Sequence, residues 1–475
     1  MRILEAVRER APRAEAIAIV TPSRARTFAD LFDAVSSFAA ELTRRHPPGE
    51  PVVALLTDPF ATAVATLGCD AAGVPLVHRD PAVPGVPGEA LLGQADNRPA
   101  GRQWQRLGVA DLALAPRRAA EPPPVLPAGA QVFLTSGSTG SPVGVVRGAD
   151  ALLADADRVG RYLRYGVERP VLVAAPVFHV YGFAYGLLGP LLHGATARHH
   201  PTRCVPSQLA RAALELEART LIGLPIHYGL LARAISTADG APEFAGVERA
   251  VSAGGPLGPG VAAAVARHTS FTLFNCYGSS EAGAVTLSPT TGDEPEGDIG
   301  EPLPGVAART LYDGPEPQEL LVRSDALAHG RIRMDEGGAT VVPLPLQDGW
   351  YRTGDLARSA TGRRIQLAGR ADAVINVGGA RVNPLEIETI LASHPDVLDV
   401  HVRGESDSAR GQVPVARVVL REGTRTGPLV LWCRQRLAPH LVPRRIDAVP
   451  SITRTATGKV AAVDGTHAPE RGDHD

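Results

Sequence analysis

The apolar residues between Thr27 and Leu42 recur at the spacing of one helical face, and polar residues fill the positions between them. This period predicts an amphipathic helix over the segment TFADLFDAVSSFAAEL, with Phe28 and Val35 on its buried side. Further along, the short apolar run Pro51–Leu56 predicts a strand. An alanine-rich segment that ends at about Ala72 predicts a helix, and the run Gly73–Val77 predicts a second strand. Such alternation predicts a parallel sheet that is covered by helices.

The pattern weakens between residues 80 and 130, and this stretch is predicted to be a surface connection within the first domain. Strands and helices then alternate again, in the order Val171–Ala175, Pro206–Glu217 (helix), Thr220–Leu224, Ala250–Ala253, a further helix and Phe271–Asn275. After Pro289 the glycine and proline content rises and strands dominate: Glu319–Arg323, Thr340–Pro343 and Ile365–Leu367. The segments after Arg370 predict a smaller unit with a helix at Leu385–His394 and strands at Val397–Val402 and Ala416–Glu422.

Composition narrows the class of protein. A chain of 475 residues with 44% hydrophobic residues can build two to four domains, and its net charge of −2 favours neither nucleic acid nor a membrane surface as a partner. Its four cysteines lie far apart, which argues against structural zinc and a disulfide framework. No apolar stretch of about 18 residues occurs, so a cytoplasmic location is expected.

The strand-like run from Val132 is followed by hydroxyl and glycine residues: Thr135, Ser136, Gly137, Ser138, Thr139 and Gly140. Glycines let backbone N–H groups converge and hydroxyls add donors, so this loop can hold phosphate oxygens. It lacks the Gly-Lys-Ser/Thr ending of a Walker A loop and the spacing of a Rossmann fingerprint. The loop alone is equally compatible with a plain turn.

Other motifs follow in a fixed order along the chain. An apolar strand leads into Asn275–Glu281, which supplies an aromatic ring, hydroxyls and a carboxylate. Gly349–Asp355 ends in an acidic residue suited to a ribose diol, and Gly369–Asp372 leads into the loop Asn376–Gly379. Near the end, Thr457-Gly458-Lys459 contains the only lysine of the sequence. A compact ammonium can point at one oxygen, which the planar guanidinium cannot do as well.

In this order the motifs resemble the adenylate-forming superfamily of acyl-CoA synthetases, carrier-domain adenylation enzymes and luciferases, over nearly the whole chain. The resemblance implies an α/β fold with a large N-terminal domain of α/β sheets plus a distorted β-barrel. A small, mobile α+β C-terminal domain would follow. The implied boundaries are 1–369 for the core domain, 370–465 for the small domain and 466–475 for a disordered tail, with a hinge at Asp372.

The resemblance also implies a reaction in which ATP and a carboxylic acid form an acyl-adenylate, and a thiol of CoA or of a carrier-protein pantetheine then displaces AMP. Lys459 would be the catalytic lysine, Ser280 would touch the α-phosphate and Glu281 would bind Mg²⁺. The remaining nucleotide contacts implied are Thr135–Gly140 for the β- and γ-phosphates, Tyr277 with Gly254, Gly255 and Pro256 for adenine, and Asp355 with Arg370 nearby for ribose. Asn275 and Gly278 are implied to bind the nucleotide as well. The loop at Gly378 and Gly379 would line the thiol tunnel.

The chain departs from the family's phosphate loop, which usually continues with Pro-Lys-Gly. Here the sequence is Pro142-Val143-Gly144, so the lysine is absent. Arg147 lies four residues further on, and its spacing motivates the hypothesis that it supplies the missing cation. Ser280 stands where threonine is commoner in the family and keeps the hydroxyl.

The segment Pro176–Gly182 resembles the P-x-F-H segment of acyl- and aryl-CoA ligases, in which the histidine gates or lines the acid site. The acid pocket is therefore expected to include Phe178, His179, His227, Ser252, Cys276 and Ser279. Cys276 replaces a glycine found in many ligases of long or aromatic acids, and the bulkier side chain favours a medium-size or aromatic acid over a long-chain one.

Other functions remain open at this point. A member of the same superfamily could pass the adenylate to an amine or another non-thiol nucleophile. A solitary lysine could instead form a Schiff base in a pyridoxal enzyme. The substitution at Val143 is also compatible with a catalytically silent nucleotide-binding protein.

Overall fold

The computed structural model describes most of the chain. The described residues are 2–21, 24–82, 89–94, 97–117, 123–136, 142–236, 242–295, 297–312, 316–335, 338–359, 363–378, 380–407 and 410–452. Six predicted site residues lie outside these ranges: Gly137, Ser138, Thr139, Gly140, Gly379 and Lys459. The predicted tail at 466–475 also lies outside them.

Helices alternate with strands through the first two thirds of the chain. The helices are α1 Arg2–Arg10, α2 Phe28–Arg45, α3 Pro59–Ala72, α4 Ala149–Tyr162, α5 Val180–Phe183, α6 Gly189–Leu192, α7 Pro206–Leu216, α8 Pro225–Ile235, α9 Pro259–His268, α10 Pro384–Ala392 and α11 Gly427–Arg436. A π-helical segment, Ala184–Leu188, joins α5 to α6. Within the described ranges, no helix is long and apolar enough to cross a membrane.

The strands of the N-terminal part are β1 Ile17–Val20, β2 Ala25–Thr27, β3 Val52–Leu55, β4 Leu76–His78, β5 Leu91–Gly93, β6 Gln105–Arg106, β7 Ala113–Ala115, β8 Gln131–Ser136, β9 Pro142–Arg147, β10 Val171–Val173, β11 Ala197–His199, β12 Thr220–Gly223, β13 Arg249–Ser252, β14 Thr272–Ser279 and β15 Gly283–Pro289. The later strands are β16 Asp298–Gly300, β17 Ala307–Thr310, β18 Gln318–Arg323, β19 Gly330–Asp335, β20 Gly338–Pro343, β21 Leu346–Gln347, β22 Trp350–Ser359, β23 Ile365–Arg370, β24 Ile375–Val377, β25 Ala380–Val382, β26 Val397–Asp407, β27 Gly411–Leu420 and β28 Arg445–Ala448.

Helix α2 forms where the sequence predicts an amphipathic helix, and its cap and its buried face explain why. Thr27 caps its N-terminus: Thr27 Oγ1 accepts from Asp30 N at 3.1 Å, and Asp30 Oδ2 accepts from Thr27 N at 2.9 Å. The predicted apolar face is buried. It packs closely on α3, where a Cβ on Gly68 would lie 2.3 Å from Phe38 Cδ1. The predicted amphipathic helix is confirmed.

The first sheet has eight strands in the order β15-β14-β13-β12-β10-β11-β1-β2. The pairs from β14 through to β1 are parallel, and β15 and β2 are antiparallel additions at the two edges. The predicted parallel α/β sheet is therefore confirmed. All its central parallel strands end on the same edge, which is where ligands bind in α/β folds.

The second sheet has nine strands in the order β20-β19-β9-β8-β4-β3-β5-β7-β6. It corrects the interpretation of residues 80–130 as a surface connection, because β5, β6 and β7 extend this sheet within that stretch. Strands β5 and β7 are buried but only three residues long, too short to display a period of two.

A third sheet, β16-β23-β22-β18-β17 with β21 on β22, is antiparallel and occupies the region predicted as a distorted barrel. The main core draws on all three sheets. The fourth sheet, β25-β24-β27-β26 with β28 on β27, has a separate core whose buried members run from Ile375 to Ile446. These features agree with a large N-terminal part and a smaller α+β unit.

Candidate active site

The predicted acid and adenine motifs meet at one edge of the first sheet. Strands β10, β12, β13 and β14 are parallel neighbours; predicted residues follow β10, β12 and β13, and the tyrosine motif forms the carboxyl-terminal half of β14. The register places Gly223 beside Ser252 and Ser252 beside Asn275. The topology alone therefore brings Phe178–His179, Gly254–Pro256 and the tyrosine motif together.

Two tyrosines that the sequence analysis missed fix this edge. Tyr181 Oη donates to Gly223 O at 2.9 Å and to Val251 O at 3.1 Å, so it bridges β12 and β13. Tyr228 Oη donates to the same Val251 carbonyl at 2.8 Å. Burial raises the pKa of Tyr181, which keeps the phenol protonated and able to donate. Tyr181 lies within the P-x-F-H-like segment and Tyr228 lies outside any motif, and the sequence does not reveal the role of either because their partners are backbone carbonyls.

The predicted acid-pocket residues are close together but differ in exposure. His179 is half-buried and packs against Phe178 with ring centroids 4.8 Å apart, and Ser279 is also half-buried. Ser252 and Cys276 are buried, and burial raises the pKa of the Cys276 thiol. His179, Ser279 and the glycine turn after β13 therefore form the solvent-accessible part of this edge of the sheet.

His227 is a correction to the predicted pocket. Its ring is buried at the start of α8, where Nδ1 accepts from Leu224 N at 3.0 Å. Nδ1 is then unprotonated, so Nε2 carries the hydrogen and donates to Thr202 O at 2.7 Å. Burial lowers the pKa of His227, in keeping with this neutral tautomer. Both ring nitrogens bind the backbone, and neither is available to an acid.

Glycine is required at two positions around the predicted adenine site. Gly254 has a φ of +89°, in the left-handed region that side chains disfavour. A Cβ on Gly278 would lie only 2.2 Å from Gly283 O, so β14 and the turn after it could not approach as they do. Gly255 is half-buried and Pro256 is exposed beside this turn.

The predicted adenine and ribose residues form one hydrogen-bonded chain across two sheets. Tyr277 Oη donates to Asp355 Oδ2 at 2.5 Å, and Arg370 donates to Asp355 Oδ1 at 3.1 Å. The guanidinium of Arg370 also donates to both carboxylate oxygens of Asp372, at 2.9 and 3.1 Å. This series of hydrogen bonds therefore links Tyr277 to the predicted ribose ligand Asp355 and, through Arg370, to the predicted hinge residue Asp372.

The pKa values along this chain agree with its charges. The hydrogen bond from Arg370 lowers the pKa of Asp372, and the same contact raises the pKa of the guanidinium. Burial, with the nearby Asp355 carboxylate, raises the pKa of Tyr277. Tyr277 consequently remains a donor, and the Asp372 carboxylate remains an acceptor.

Glu281, the predicted metal ligand, is held in an ion pair that the sequence analysis missed. Arg331 Nε donates to Glu281 Oε1 at 2.8 Å, and its Nη2 lies 2.7 Å from the same oxygen. Nη2 also donates to Tyr351 Oη at 2.7 Å. The Arg331 side chain is 40% exposed and that of Glu281 is 14% exposed, so the pair opens to solvent on the arginine side.

Arg147 is a second correction, because it does not face the phosphate loop. Its side chain is 0% exposed and donates to the carbonyls of Ala326 at 2.7 Å and Ser280 at 3.2 Å. Its Nη2 lies 3.3 Å from Asp155 Oδ2, and Asp155 is equally buried. The guanidinium therefore cannot reach ATP, and it holds the backbone of Ser280 instead.

The phosphate loop begins and ends within one antiparallel pair. Thr135 and Val143 are register partners on β8 and β9, and Thr135 Oγ1 donates to Val143 O at 3.2 Å. Ser136 ends β8. Gly378 lies at the turn between β24 and β25, where its N–H donates to Arg410 O at 2.8 Å.

The residues around Glu281 fit a magnesium ion that is shared with phosphate. Among the described residues, no group of three or more His, Cys, Asp or Glu side chains could form a complete protein cage for a metal. Mg²⁺ is ordinarily held by one or two carboxylates together with substrate phosphates, and Glu281 is such a carboxylate. Both contacts from Arg331 are made to Glu281 Oε1, so Oε2 is the carboxylate oxygen that Arg331 does not contact.

The fold, with a parallel sheet that has an aromatic ring and a glycine turn at its carboxyl edge and a separate α+β unit after it, agrees with the expected adenylate-forming class. The chain belongs to the AMP-binding enzyme family, whose model matches residues 86–330. The model of the AMP-binding enzyme C-terminal domain matches residues 386–459, a range that includes Lys459. The predicted superfamily membership is confirmed.

Named relatives agree with this assignment. The mitochondrial malonate–CoA ligase of Mus musculus is 31% identical over 407 residues, which cover 75% of this chain and 69% of the relative. The 2-succinylbenzoate–CoA ligase of Bacillus subtilis is 28% identical over 340 residues, covering 70% of this chain and 67% of the relative. ATP-bound MatB from Rhodopseudomonas palustris superposes with a TM-score of 0.80 at 21% identity over 97% of both chains, which confirms the predicted fold.

These relatives are ligases of acids and CoA, and they confirm the predicted enzyme class, an AMP-forming acid–thiol ligase. The match covers about two thirds of each relative's length.

Proposed function

We propose that this chain activates a carboxylic acid with ATP and Mg²⁺ and transfers the acyl group to the thiol of CoA or of a separate carrier protein. The observation that carries the proposal is the hydrogen bond of 2.5 Å between Tyr277 and Asp355. It holds an aromatic face beside a carboxylate, although the two residues lie on different sheets. One nucleoside can meet both, its base against the ring and its ribose diol at the carboxylate.

In the first half-reaction a carboxylate oxygen of the acid attacks the α-phosphorus of ATP. The new bond joins that oxygen to phosphorus, and the bond to the bridging oxygen of the β-phosphate breaks. Its electron pair leaves with pyrophosphate. Ser280 and Lys459 are proposed to bind the α-phosphate oxygens and the acid, where the ammonium lowers the barrier by stabilising the charge that develops.

Mg²⁺ is proposed to bind at Glu281, and when bound it supplies positive charge to the phosphate oxygens. The backbone on both sides of that carboxylate is fixed: the Ser280 carbonyl accepts from Arg147 at 3.2 Å, and the Glu281 carbonyl accepts from Ala328 N at 2.7 Å. A rigid backbone keeps the carboxylate in place during the reaction, which is what preorganised catalysis requires.

The acid is proposed to lie beside His179 and Ser279, the two half-buried members of the predicted pocket. Ser279 Oγ already accepts from Ala282 N at 3.1 Å, so its own hydrogen is the group it can offer to the acid. The buried Cys276 and Tyr181 fill the space behind this edge. Because these side chains limit the depth of the proposed acid site, we propose a medium-size or aromatic acid over a long aliphatic one.

In the second half-reaction the thiol sulfur attacks the acyl carbon and loses its proton. AMP leaves with the electrons of the carbon–oxygen bond. Rotation of the small unit at Asp372 is proposed to remove Lys459 from the site and to bring the loop at Gly378 and Gly379 to the thiol. A division into 1–369 and 370–465 follows from this proposal.

The first experiment is acid-dependent exchange of labelled pyrophosphate into ATP. The panel should contain short, medium and aromatic acids, and acids with a second carboxylate because the similar ligases act on malonate and 2-succinylbenzoate. We expect exchange with a subset of these acids and none for Lys459→Ala. Absence of acid-dependent exchange across the panel would contradict the proposal and favour a silent nucleotide-binding protein.

The second experiment identifies the acceptor. With the active acid, CoA should be consumed and the thioester detected by mass spectrometry. If the adenylate forms but neither CoA nor a phosphopantetheinyl carrier accepts it, trapping with hydroxylamine followed by an amine panel would favour the alternative, an enzyme with a non-thiol acceptor.

A further inference from the structure

A hairpin that lies far from the phosphate-loop motif in sequence is placed beside strand β9 in the fold. Strands β19 and β20 extend the second sheet beyond β9, which follows directly on that loop. The register pairs Arg331 with Val145 and Ile332 with Gly144. The contact is close, since a Cβ on Gly144 would lie 2.9 Å from Ile332 Cδ1. Arg331 therefore lies on the strand next to Val143, where the family's lysine is missing.

The surroundings of Arg331 are those of a ligand-binding arginine. Its guanidinium contacts Glu281 Oε1 at 2.7 Å and Tyr351 Oη at 2.7 Å while remaining 40% exposed. A guanidinium has more N–H donors than these two partners use, and its planar fork matches phosphate geometry. The candidate predicted from the sequence, Arg147, is 0% exposed, and its guanidinium contacts backbone carbonyls and Asp155.

We propose that Arg331 binds the β- and γ-phosphates of ATP and takes over the role of the lysine that is absent at Val143. The inference rests on the proposed function, because it assigns a phosphate contact to the same site. In this role Arg331 stabilises the negative charge that accumulates on the departing pyrophosphate. Its ion pair with Glu281 places this cation beside the proposed magnesium carboxylate.

The test compares ligands that differ only in the phosphates concerned. Binding of ATP, pyrophosphate and AMP to the full chain is measured by calorimetry for the wild type and for Arg331→Gln. We expect the dissociation constants of ATP and pyrophosphate to rise about 10- to 100-fold, as for the loss of a charge-assisted hydrogen bond, and that of AMP to stay within about twofold. Arg211→Gln removes the same charge from the exposed face of α7 and is the matched control.

A rescue variant separates phosphate binding from a merely structural role. Adding Val143→Lys to Arg331→Gln restores a cation at the position on β9 where the family has its lysine, and we expect it to recover most of the ATP affinity. If Arg331→Gln weakens ATP and AMP equally, or if Val143→Lys restores nothing, Arg331 is not a phosphate ligand. Thermal unfolding of each variant identifies any that fails to fold, and Arg331→Lys then replaces Arg331→Gln, with a smaller expected loss of ATP affinity.

Failure of this inference is distinguishable from failure of the proposed function. Wild-type protein that shows acid-dependent exchange, together with an Arg331→Gln variant of unchanged ATP affinity, overturns the assignment of Arg331 alone. Wild-type protein that shows neither exchange nor ATP binding overturns both.

Discussion

Two arginine–carboxylate pairs flank the Ser280–Glu281 segment, and they differ chiefly in their exposure to solvent. Arg147 and Asp155 are both 0% exposed with 3.3 Å between Nη2 and Oδ2. Arg331 and Glu281 are 40% and 14% exposed at 2.7 Å. A buried pair cannot change partners without leaving an uncompensated charge, whereas a pair that opens to solvent can accept a new one. The buried pair therefore supports the fold, and the pair that opens to solvent is the one for which we propose ligand binding.

The largest expected effect is on stability, when the buried pair is broken. Arg147→Met leaves the Asp155 carboxylate without its cation and should lower the free energy of unfolding by about 3–5 kcal/mol in urea denaturation. Arg331→Met should lower it by less than about 1 kcal/mol, because that pair is exposed and screened. Equal losses for the two variants would remove the contrast between the pairs.

The double variant Arg147→Met/Asp155→Asn sharpens the first result. The carboxamide oxygen that replaces Asp155 Oδ1 can still accept from Tyr185 Oη and Ala284 N, which contact that oxygen at 2.9 and 3.0 Å. We therefore expect part of the lost stability to return, because the double variant buries no unpaired charge. No recovery would mean that packing of the arginine stem, rather than the buried charge, dominates.

The next effect concerns Lys459, a cation of a different shape. Lys459→Arg keeps the charge but should reduce the rate of adenylation about 100- to 1,000-fold, since a planar guanidinium cannot direct its charge at one oxygen as an ammonium does. Single-turnover pyrophosphate release measures this rate, with thioester formation from a pre-formed adenylate as the control. Near-normal adenylation would contradict the role proposed for Lys459.

The buried His78, whose hydrogen-bond partner is neutral, should make the free energy of unfolding depend on pH in the acid range. Burial lowers the pKa of His78 to about 4, and its Nε2 lies 2.9 Å from Gln131 Oε1. The pKa of His78 is lower in the folded state than in the unfolded chain, so the unfolded chain binds the proton first as the pH falls. The contribution of neutral His78 to the free energy of unfolding is therefore fully present above pH 6.5 and is lost as the pH falls from 6.5 towards 4. The loss is about 3 kcal/mol for this shift. Urea denaturation across this range should show a steeper pH dependence for the wild type than for His78→Asn.

The smallest effect is expected at the nucleoside end of the site. Tyr277→Phe removes the donor to Asp355 but keeps the aromatic face, at a cost of about 1 kcal/mol or a few-fold in affinity. ATP and AMP should lose affinity equally, because both carry the adenosine. This is the opposite of the selective ATP loss expected for Arg331→Gln, and a selective loss here would contradict the placement of adenosine at Tyr277.

The sequence motifs could be placed on the fold because they lie at the ends of strands. The tyrosine motif forms the carboxyl-terminal half of β14, the glycine turn follows β13, and these two parallel neighbours end at one edge of the sheet. The roles of the motifs, and the choice of Phe178 and His179 for the acid pocket, came from the resemblance to the family. The exposure of these side chains had to come from the structure.

The errors have physical causes that a single sequence does not display. Arg147 lies on β9 beside the buried Val145 and Val146, and charge alone does not reveal that Asp155 lies in the core and pairs with it. Arg331 reaches Glu281 only through the pairing of β19 with β9, which lie more than 180 positions apart in the sequence. His227 looks like a pocket residue until its two backbone partners are seen.

The small unit with its own core has a consequence for how such enzymes diversify. The buried side chains between Ile375 and Ile446 form a hydrophobic cluster of their own, distinct from the clusters of the first three sheets. Under the proposed function, this unit carries Lys459 and serves the acyl-transfer step, whereas the proposed acid site lies on the first sheet. Substitutions that change the acceptor could then accumulate in the small unit without altering recognition of the acid.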